Sequence, residues 1–279
     1  MAERQTDRAR GRPRSDSSSK SVAPVQGLDR GLRMLSLVAR QERNTLTALA
    51  ATADMAPSTA YRMLETLRLH QLVVFDTPTQ TWSVGVEAFR IGQRYARHGN
   101  YLDVGRTVMR ALSEATGETA NIAVMQEREL VYVAQIETRA PIRAFIPVGT
   151  RGDPQASAIG KALLAYMSPA QRNDVMRVPP KAFTSNTRID RNTLMHELDR
   201  VRACGWAGDD EERYPGMRCI AAPIFNEYAE PIAGLSISAP AARLAMAEFE
   251  RHAPSVAAAA AEITSQIGGQ RSRPIVGTS

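Results

Sequence analysis

The sequence predicts a mixed α/β (α+β) protein of two domains: an N-terminal winged helix-turn-helix and a larger domain built on an antiparallel sheet. Three observations lead to this fold class. Three short amphipathic helices precede a strand hairpin within residues 25–85. A helix and a series of apolar strands with inserted helices follow over residues 101–269. The 279-residue chain has a net charge of +6, and all of that excess falls in residues 1–100.

The charge asymmetry indicates a polyanionic partner for the first third of the chain. Residues 1–100 contain 15 Lys and Arg against 9 Asp and Glu, whereas residues 101–279 contain 20 of each class. Such a basic segment favours nucleic acid. No apolar stretch is long enough to span a bilayer, and the N-terminus lacks a secretory pattern. Two cysteines cannot form a disulfide framework, so we expect a cytoplasmic protein without a membrane partner.

The elements of the N-terminal domain follow from apolar spacing and capping residues. The second helix has Thr45 or Thr47 as its N-cap, and the third helix opens at Pro57, a residue suited to the first helical position. Residues 72–75 and 81–84 are predicted to pair as a hairpin, the wing.

The domain boundaries follow from shifts in composition. Residues 1–24 contain few large apolar side chains, so they cannot bury enough surface to offset the entropy of ordering. Within them, Arg10 and Arg12 form an Arg-Gly-Arg-Pro segment that resembles an AT-hook for the A·T minor groove. The simpler alternative is a solubilising tail. The predicted segments are a disordered basic tail (1–24), the winged domain (25–85), a linker helix (86–100), the second domain (101–269) and a disordered tail (270–279).

The second domain alternates between helical and strand patterns. Predicted strands cover residues 119–125, 130–136, 142–147, 220–225 and 232–237, and predicted helices cover 101–116, 157–167, 191–204 and 241–267.

The third helix has the two faces that a DNA recognition helix needs. One face is apolar and the other carries Ser58, Thr59 and Arg62, with Tyr61 at the flank. Arg62 could donate two hydrogen bonds to guanine in the major groove, and the other three suit phosphate or base contacts. The alternative is an ordinary amphipathic helix in a helical bundle.

The second domain contains residues suited to a very small polar carboxylate. Residues 155–161 run from a loop into a helix, whose free N–H groups and dipole favour an anion, and Lys161 adds positive charge. Ser236 and Ser238 share one strand face. If Phe225 pairs with Pro231, Cys219 lies opposite Ile237 and beside both serines, with Asp209 ten residues earlier. The alternative is that these are small sheet residues satisfied internally.

Catalytic and metal chemistry have little support in the sequence. The Gly160-Lys161 pair lacks the remaining P-loop residues, and the acidic run at 209–212 is typical of a solvated turn. The histidines are scattered and no Cys/His ligand cluster exists. We therefore expect no catalytic residue, metal or cofactor. An enzyme with Cys219 as nucleophile is an alternative, although no general base is near it in sequence.

Several motifs of the N-terminal domain together resemble the IclR family of bacterial transcription regulators. The resemblance implies a winged helix-turn-helix joined by a linker helix to a GAF-like effector-binding domain. It further implies that dimers or tetramers bind double-stranded DNA, so that the operator is pseudo-palindromic. The motifs are Gly27-Leu28-Asp29-Arg30-Gly31-Leu32, Thr47 to Ala53, Pro57-Ser58-Thr59-Ala60-Tyr61-Arg62 and Trp82-Ser83-Val84-Gly85.

Motifs of the second domain are similar to the glyoxylate-sensing, AllR-like branch of that family. These are Ala156-Ser157-Ala158, Gly160-Lys161-Ala162, Asp209, Cys219-Ile220-Ala221 and Leu235-Ser236-Ile237-Ser238. The resemblance implies that Ala158 and Ile159 supply backbone donors to the effector carboxylate, with Asp209, Cys219, Ser236 and Ser238 around the remainder. It thus implies a repressor or activator that responds to glyoxylate or a close small 2-oxo acid. Alternatives are an aromatic carboxylate as effector, or a second domain that serves only as an oligomerisation scaffold.

Overall fold

A computed structural model describes residues 24–40, 44–98 and 101–270 of the chain. They form two compact units that divide between Gln93 and Arg94, and their elements confirm the predicted mixed α/β fold class. The predicted tails, including Arg10 and Arg12, lie outside the described residues except at their inner ends. Within the described ranges, no helix is long and apolar enough to cross a membrane.

The first unit is three helices followed by a hairpin. Thr45 is the N-cap of the second helix, where its side chain accepts a hydrogen bond from the Ala48 N–H at 3.3 Å. Leu49, Leu64 and Trp82 are fully or almost fully buried and tie the helices to the wing. The elements are α1 (Gln26–Arg40), α2 (Leu46–Thr52), α3 (Pro57–Leu69), β1 (Val73–Asp76), β2 (Thr81–Val84) and α4 (Val86–His98), the last of which crosses the boundary between the units.

The second unit is a six-stranded antiparallel sheet with helices on both faces. The strand order is β5-β4-β3-β8-β7-β6; one face packs against α5 and α9, and the other against α6 and α8. The elements are α5 (Tyr101–Thr116), β3 (Thr119–Gln126), β4 (Glu129–Ile136), β5 (Arg151–Gly152), α6 (Ala158–Tyr166), α7 (Pro169–Val175), α8 (Arg191–Cys204), β6 (Ala207–Asp210), β7 (Met217–Phe225), β8 (Pro231–Pro240) and α9 (Phe249–Gln266).

The predicted strand at residues 142–147 is wrong, because this segment is extended but not part of the sheet. Hydrogen bonds from side chains, rather than a ladder of backbone hydrogen bonds, hold the segment in place. Thr119 Oγ1 donates to the Ala144 carbonyl at 2.9 Å, and Gln135 Nε2 donates to the Ile146 carbonyl at 2.9 Å. Pro141 and Pro147 bound the segment and lack the N–H donors that a ladder needs.

The C-terminal helix begins later than predicted. Strand β8 continues to Pro240 and a short 3₁₀ helix occupies Met246–Glu248, so α9 starts at Phe249 rather than near residue 241. The short elements β5, α7 and β6 were not predicted; two to seven residues are too few for a period to be recognised.

The register of β7 and β8 differs from the prediction by one residue. Phe225 pairs with Pro231 as expected, but Ile224 pairs with Ala233 because the ladder contains an irregularity there. Cys219 consequently lies opposite Ser238, not opposite Ile237. A bulge of this kind adds a residue to one strand and turns the side chains beyond it to the other face.

Candidate functional site

The exposed face of α3 carries the residues predicted to contact DNA. Ser58, Tyr61 and Arg62 are exposed and Thr59 is half-buried, whereas the opposite face packs into the core through Ala60, Leu64 and Leu67. Among the described residues no ion pair involves the Arg62 guanidinium, although Arg68 pairs with Glu65 at 2.7 Å. The Arg62 side chain is therefore available to an external acceptor.

The surroundings of α3 suit an anionic partner. Pro57 occupies the first turn, and the unpaired N–H groups of a helix N-terminus attract phosphate. The wing follows directly, and its β1–β2 hairpin is anchored by Trp82, whose ring centroid lies 4.8 Å from that of Phe75. The first unit thus presents a polar helix and a firmly packed hairpin.

A buried polar cluster lies on the sheet face that packs against α6 and α8. Pairing places Thr119, Ser238, Cys219 and Asp209 side by side on four neighbouring strands. Asn121 and Ser236 are paired in the next row, two residues along, so their side chains share that face. The structure therefore brings Asp209, Cys219, Ser236 and Ser238 together, each no more than 6% exposed.

The first turn of α6 packs directly on β8, the strand that carries Ser236 and Ser238. Ala158 and Ile159 are 1% exposed, and a Cβ added at Gly234 would come within 2.6 Å of Ile159 Cγ2. Gly234 precedes Ser236 by two residues on β8 and therefore shares its face. The N-cap Ser157 makes no side-chain capping bond to the helix. The α6 N-terminus, where the helix dipole favours negative charge, thus lies on β8 two residues from Ser236.

Asp209 is held as a neutral or easily protonated acid. Its Oδ1 accepts a hydrogen bond from the Glu212 N–H at 2.8 Å. Burial raises the pKa of Asp209 to about 7, while the positive charge of Lys161 partly opposes the rise. Near neutral pH the side chain can therefore donate a proton to a ligand oxygen as well as accept one.

Cys219 is a buried thiol rather than a nucleophile. Its Sγ lies 3.1 Å from Ser238 Oγ. Burial raises the pKa of the Cys219 thiol well above its ordinary value, and the charge of Asp209 adds to the rise. Nucleophilic cysteines need the opposite shift, so this geometry disfavours a catalytic role.

Lys161 does not provide a free cation. The side chain is completely buried, with Nζ 2.5 Å from Glu212 Oε1 and 3.9 Å from Glu197 Oε1. Arg188 and Arg200 each approach Glu197 within 3.0 Å. The ion network ties α6 and α8 to the loop after β6, and the charge of Lys161 is neutralised there.

The acidic run at residues 209–212 is not the solvated turn predicted from the sequence. Asp209 and Glu212 are 2% and 1% exposed, and Arg218 pairs with both Asp210 and Glu211 at 2.6 and 3.2 Å. Among the described residues no group of His, Cys, Asp and Glu side chains could hold a metal ion. Asp209 therefore belongs to the buried polar cluster, and Glu212 belongs to the ion network of Lys161.

The sequence analysis missed Thr119, Asn121 and Gln135. Asn121 Nδ2 donates to Ser238 Oγ at 3.1 Å, and Gln135 Nε2 donates to Asn121 Oδ1 at 3.0 Å. A signal was present, since Thr119 and Asn121 are polar at i and i+2 in an otherwise apolar strand.

Comparison with known proteins assigns the class and then the family. The helix-turn-helix model of the IclR family matches residues 27–77, and the bacterial transcriptional regulator IclR C-terminal model matches residues 93–265. The chain is a DNA-binding transcription regulator with an effector-binding domain, not an enzyme. It belongs to the IclR family.

Named relatives support this assignment along nearly the whole chain. The transcriptional regulator BhcR of Paracoccus denitrificans is 41% identical over 92% of this chain and 94% of its own. The repressor AllR of Klebsiella pneumoniae is 33% identical over 94% of this chain and 96% of its own, so identity does not single out the AllR-like branch. An IclR homologue from Microbacterium hydrocarbonoxydans, solved with 4-hydroxybenzoate, covers 86% of this chain and 98% of its own with a TM-score of 0.77 and 21% identity.

Proposed function

We propose that this regulator senses glyoxylate, or a close small 2-oxo acid, in the buried polar cluster and alters operator binding in response. The observation that carries the proposal is the meeting of four polar side chains from three strands beneath the first turn of a helix. A site lined by these four polar side chains fits a ligand that is mostly oxygen atoms. The AllR-like motifs of the sequence point to the same ligand.

The proposed binding mode divides the ligand between the helix and the sheet. The carboxylate accepts hydrogen bonds from the backbone N–H groups of Ala158 and Ile159, where the α6 dipole favours negative charge. The oxygen on the second carbon faces Ser236, Ser238 and Cys219. Protonated Asp209 donates the remaining hydrogen bond, since an ionised Asp209 would repel the anion.

An aromatic carboxylate is the alternative effector, because the Microbacterium homologue was solved with 4-hydroxybenzoate. An aromatic ring needs an apolar wall. In this chain the sheet face of the proposed site carries Asp209, Ser236 and Ser238 instead of an apolar wall, so a ring would cover polar groups that a small, oxygen-rich ligand can pair. The cluster therefore favours the smaller ligand.

We further propose that α3 enters the major groove and that two copies of the chain bind a pseudo-palindromic operator in the cytoplasm. Ser58, Thr59, Tyr61 and Arg62 would make the contacts.

In the first unit, apolar side chains of α1 and α4 are exposed, and a second copy could cover them. They are Val25 just before α1, Leu28, Leu32, Val86, Phe89 and Ile91. Minor-groove contacts by Arg10 and Arg12 stay a prediction from the sequence pattern.

Replacing Arg62 with alanine tests the DNA interface. We expect Arg62→Ala to weaken binding to the specific operator by about 1–3 kcal/mol, because a bidentate contact to a base is lost. Fluorescence anisotropy at fixed salt measures the change. The matched control is Arg128→Ala, an exposed arginine of the second unit that pairs with Asp174. Equal losses in both variants, or an unchanged affinity of Arg62→Ala, would contradict base reading by Arg62.

Replacing Ser236 with alanine tests the effector site. Wild-type protein should gain thermal stability in glyoxylate, since a ligand that binds only the folded state stabilises it. We expect Ser236→Ala to lose most of that gain and to keep DNA binding. Ser113→Ala is the matched control, because Ser113 is equally buried in the same unit and bonds to the Glu118 carbonyl away from the cluster. A full thermal shift in Ser236→Ala would remove Ser236 from the site.

A further inference from the structure

A chain of side-chain hydrogen bonds crosses the sheet from half-buried Gln135 to the proposed effector site. Gln135 on β4 donates through Nε2 both to the Ile146 carbonyl, at 2.9 Å, and to Asn121 Oδ1, at 3.0 Å. Asn121 on β3 donates through Nδ2 to Ser238 Oγ on β8, at 3.1 Å. Asn121 and Ser238 are 0% and 1% exposed, so water does not compete for these groups. We call this chain the amide relay.

The hydrogen bond to the Ile146 carbonyl determines which group donates and which accepts at every step of the amide relay. A carbonyl oxygen only accepts, so the Gln135 atom facing Ile146 must be the amide nitrogen. The same nitrogen donates to Asn121, which must then present its oxygen to Gln135 and its nitrogen to Ser238. Ser238 Oγ therefore accepts from Asn121, and the hydroxyl proton of Ser238 must point elsewhere, to the Cys219 sulfur or to a ligand.

We propose that Asn121 and Gln135 are positioning residues that determine effector specificity by holding the Ser238 hydroxyl as a donor. The proposal rests on the effector site proposed above. A carbonyl oxygen of a 2-oxo acid only accepts and matches this donor. The hydroxyl of a 2-hydroxy acid carries a proton that needs an acceptor. Asn121 already takes one of the two acceptor positions of Ser238 Oγ, and Asp209 is protonated and donates in the proposed binding mode. The amide relay thus favours the oxo acid over its hydroxy counterpart, since a buried unpaired donor is costly.

Calorimetric titration with glyoxylate and glycolate tests this assignment in three proteins. We expect wild-type protein to prefer glyoxylate by about tenfold or more. Asn121→Leu keeps the number and branching of the side-chain heavy atoms but frees Ser238, so its glyoxylate-to-glycolate affinity ratio should fall toward one. Ser113→Ala is the matched control: Ser113 is buried in the same unit, and its hydroxyl bonds to the Glu118 carbonyl away from the cluster and outside the amide relay. Its ratio should stay at the wild-type value.

A lost preference in Ser113→Ala as well, or a full preference in Asn121→Leu, would overturn the specificity role. A second readout does not depend on the effector: side-chain amide hydrogen exchange of Asn121 and Gln135, followed by NMR in the ligand-free protein. We expect slow exchange of the buried Asn121 amide in wild type and Ser113→Ala, and faster exchange of Gln135 in Asn121→Leu. Rapid exchange in wild type would overturn the amide relay itself. Slow exchange without binding of either acid would overturn the effector assignment, and the specificity role with it.

Discussion

Lys161→Met should lower the free energy of unfolding by about 3–5 kcal/mol, because the substitution leaves buried carboxylates without their cation. Lys161 is completely buried against Glu212, at 2.5 Å, and approaches Glu197 at 3.9 Å. Methionine fills a similar volume, so the loss reflects charge rather than a cavity. Urea denaturation followed by circular dichroism measures the change.

The control is a substitution of an exposed ion pair. Arg128 pairs with Asp174 at 2.9 Å, and both side chains are nearly half exposed, so Arg128→Met should cost only about 0–1 kcal/mol. Replacing Lys161 and Glu212 together with methionine should recover part of the loss, since no uncompensated charge remains at that pair. A Lys161→Met protein within about 1 kcal/mol of wild type would mean that water or local rearrangement solvates Glu212, contrary to the buried geometry.

Glyoxylate affinity should fall about tenfold for each pH unit above about 7, because binding then requires uptake of one proton by Asp209. Asp209 faces Lys161 from α6, Glu212 from the loop after β6 and the Cys219 thiol from β7. Burial raises its pKa, and an incoming carboxylate favours the neutral acid further. Dissociation constants measured from pH 6 to pH 9 should show this slope. Asp209→Asn, which cannot ionise, should bind more weakly at low pH but with a flat profile.

The same pKa shift affects stability in a defined direction. The folded pKa of Asp209, about 7, exceeds the ordinary value of 3.8, so the folded protein binds the extra proton between these limits. The contribution of Asp209 to stability is therefore largest at acid pH and declines as pH rises to about 7. Asp209→Asn should remove that decline. An affinity profile that is flat in wild type, or equally steep in Asp209→Asn, would assign the proton to another group.

Local patterns in the sequence were sufficient to predict the DNA-binding unit. The 3.6-residue spacing of Ala60, Leu64 and Leu67 defines the buried face of α3, and the opposite face follows directly. The Thr45 cap and Pro57 mark helix starts through local chemistry. Such features depend on neighbours within four residues, so they can be read without tertiary structure.

The interior of the second unit could be predicted only in part. The structure brings together Asp209, Cys219, Ser236 and Ser238, which the sequence predicts to lie near one another. The predicted strand pairing was wrong by one residue because the bulge near Ile224 has no local signature. Alternating apolar residues at 142–147 resemble a strand, although side-chain bonds from β3 and β4 hold that segment. The partners of Lys161 are far away along the chain, and only the fold brings them together.

The regulator that we propose couples a DNA-reading face to a small-carboxylate site within one chain. Fluorescence anisotropy of the full chain on its own upstream intergenic DNA, at fixed salt, tests it directly with glyoxylate, pyruvate, glycolate and oxalate added in turn. We predict tight specific binding whose affinity changes most with glyoxylate and depends on Arg62 and Ser236 separately. Specific binding that no small acid alters, together with an absent thermal shift, would contradict the effector assignment. The absence of sequence-specific binding would contradict the proposal that α3 reads bases in the major groove.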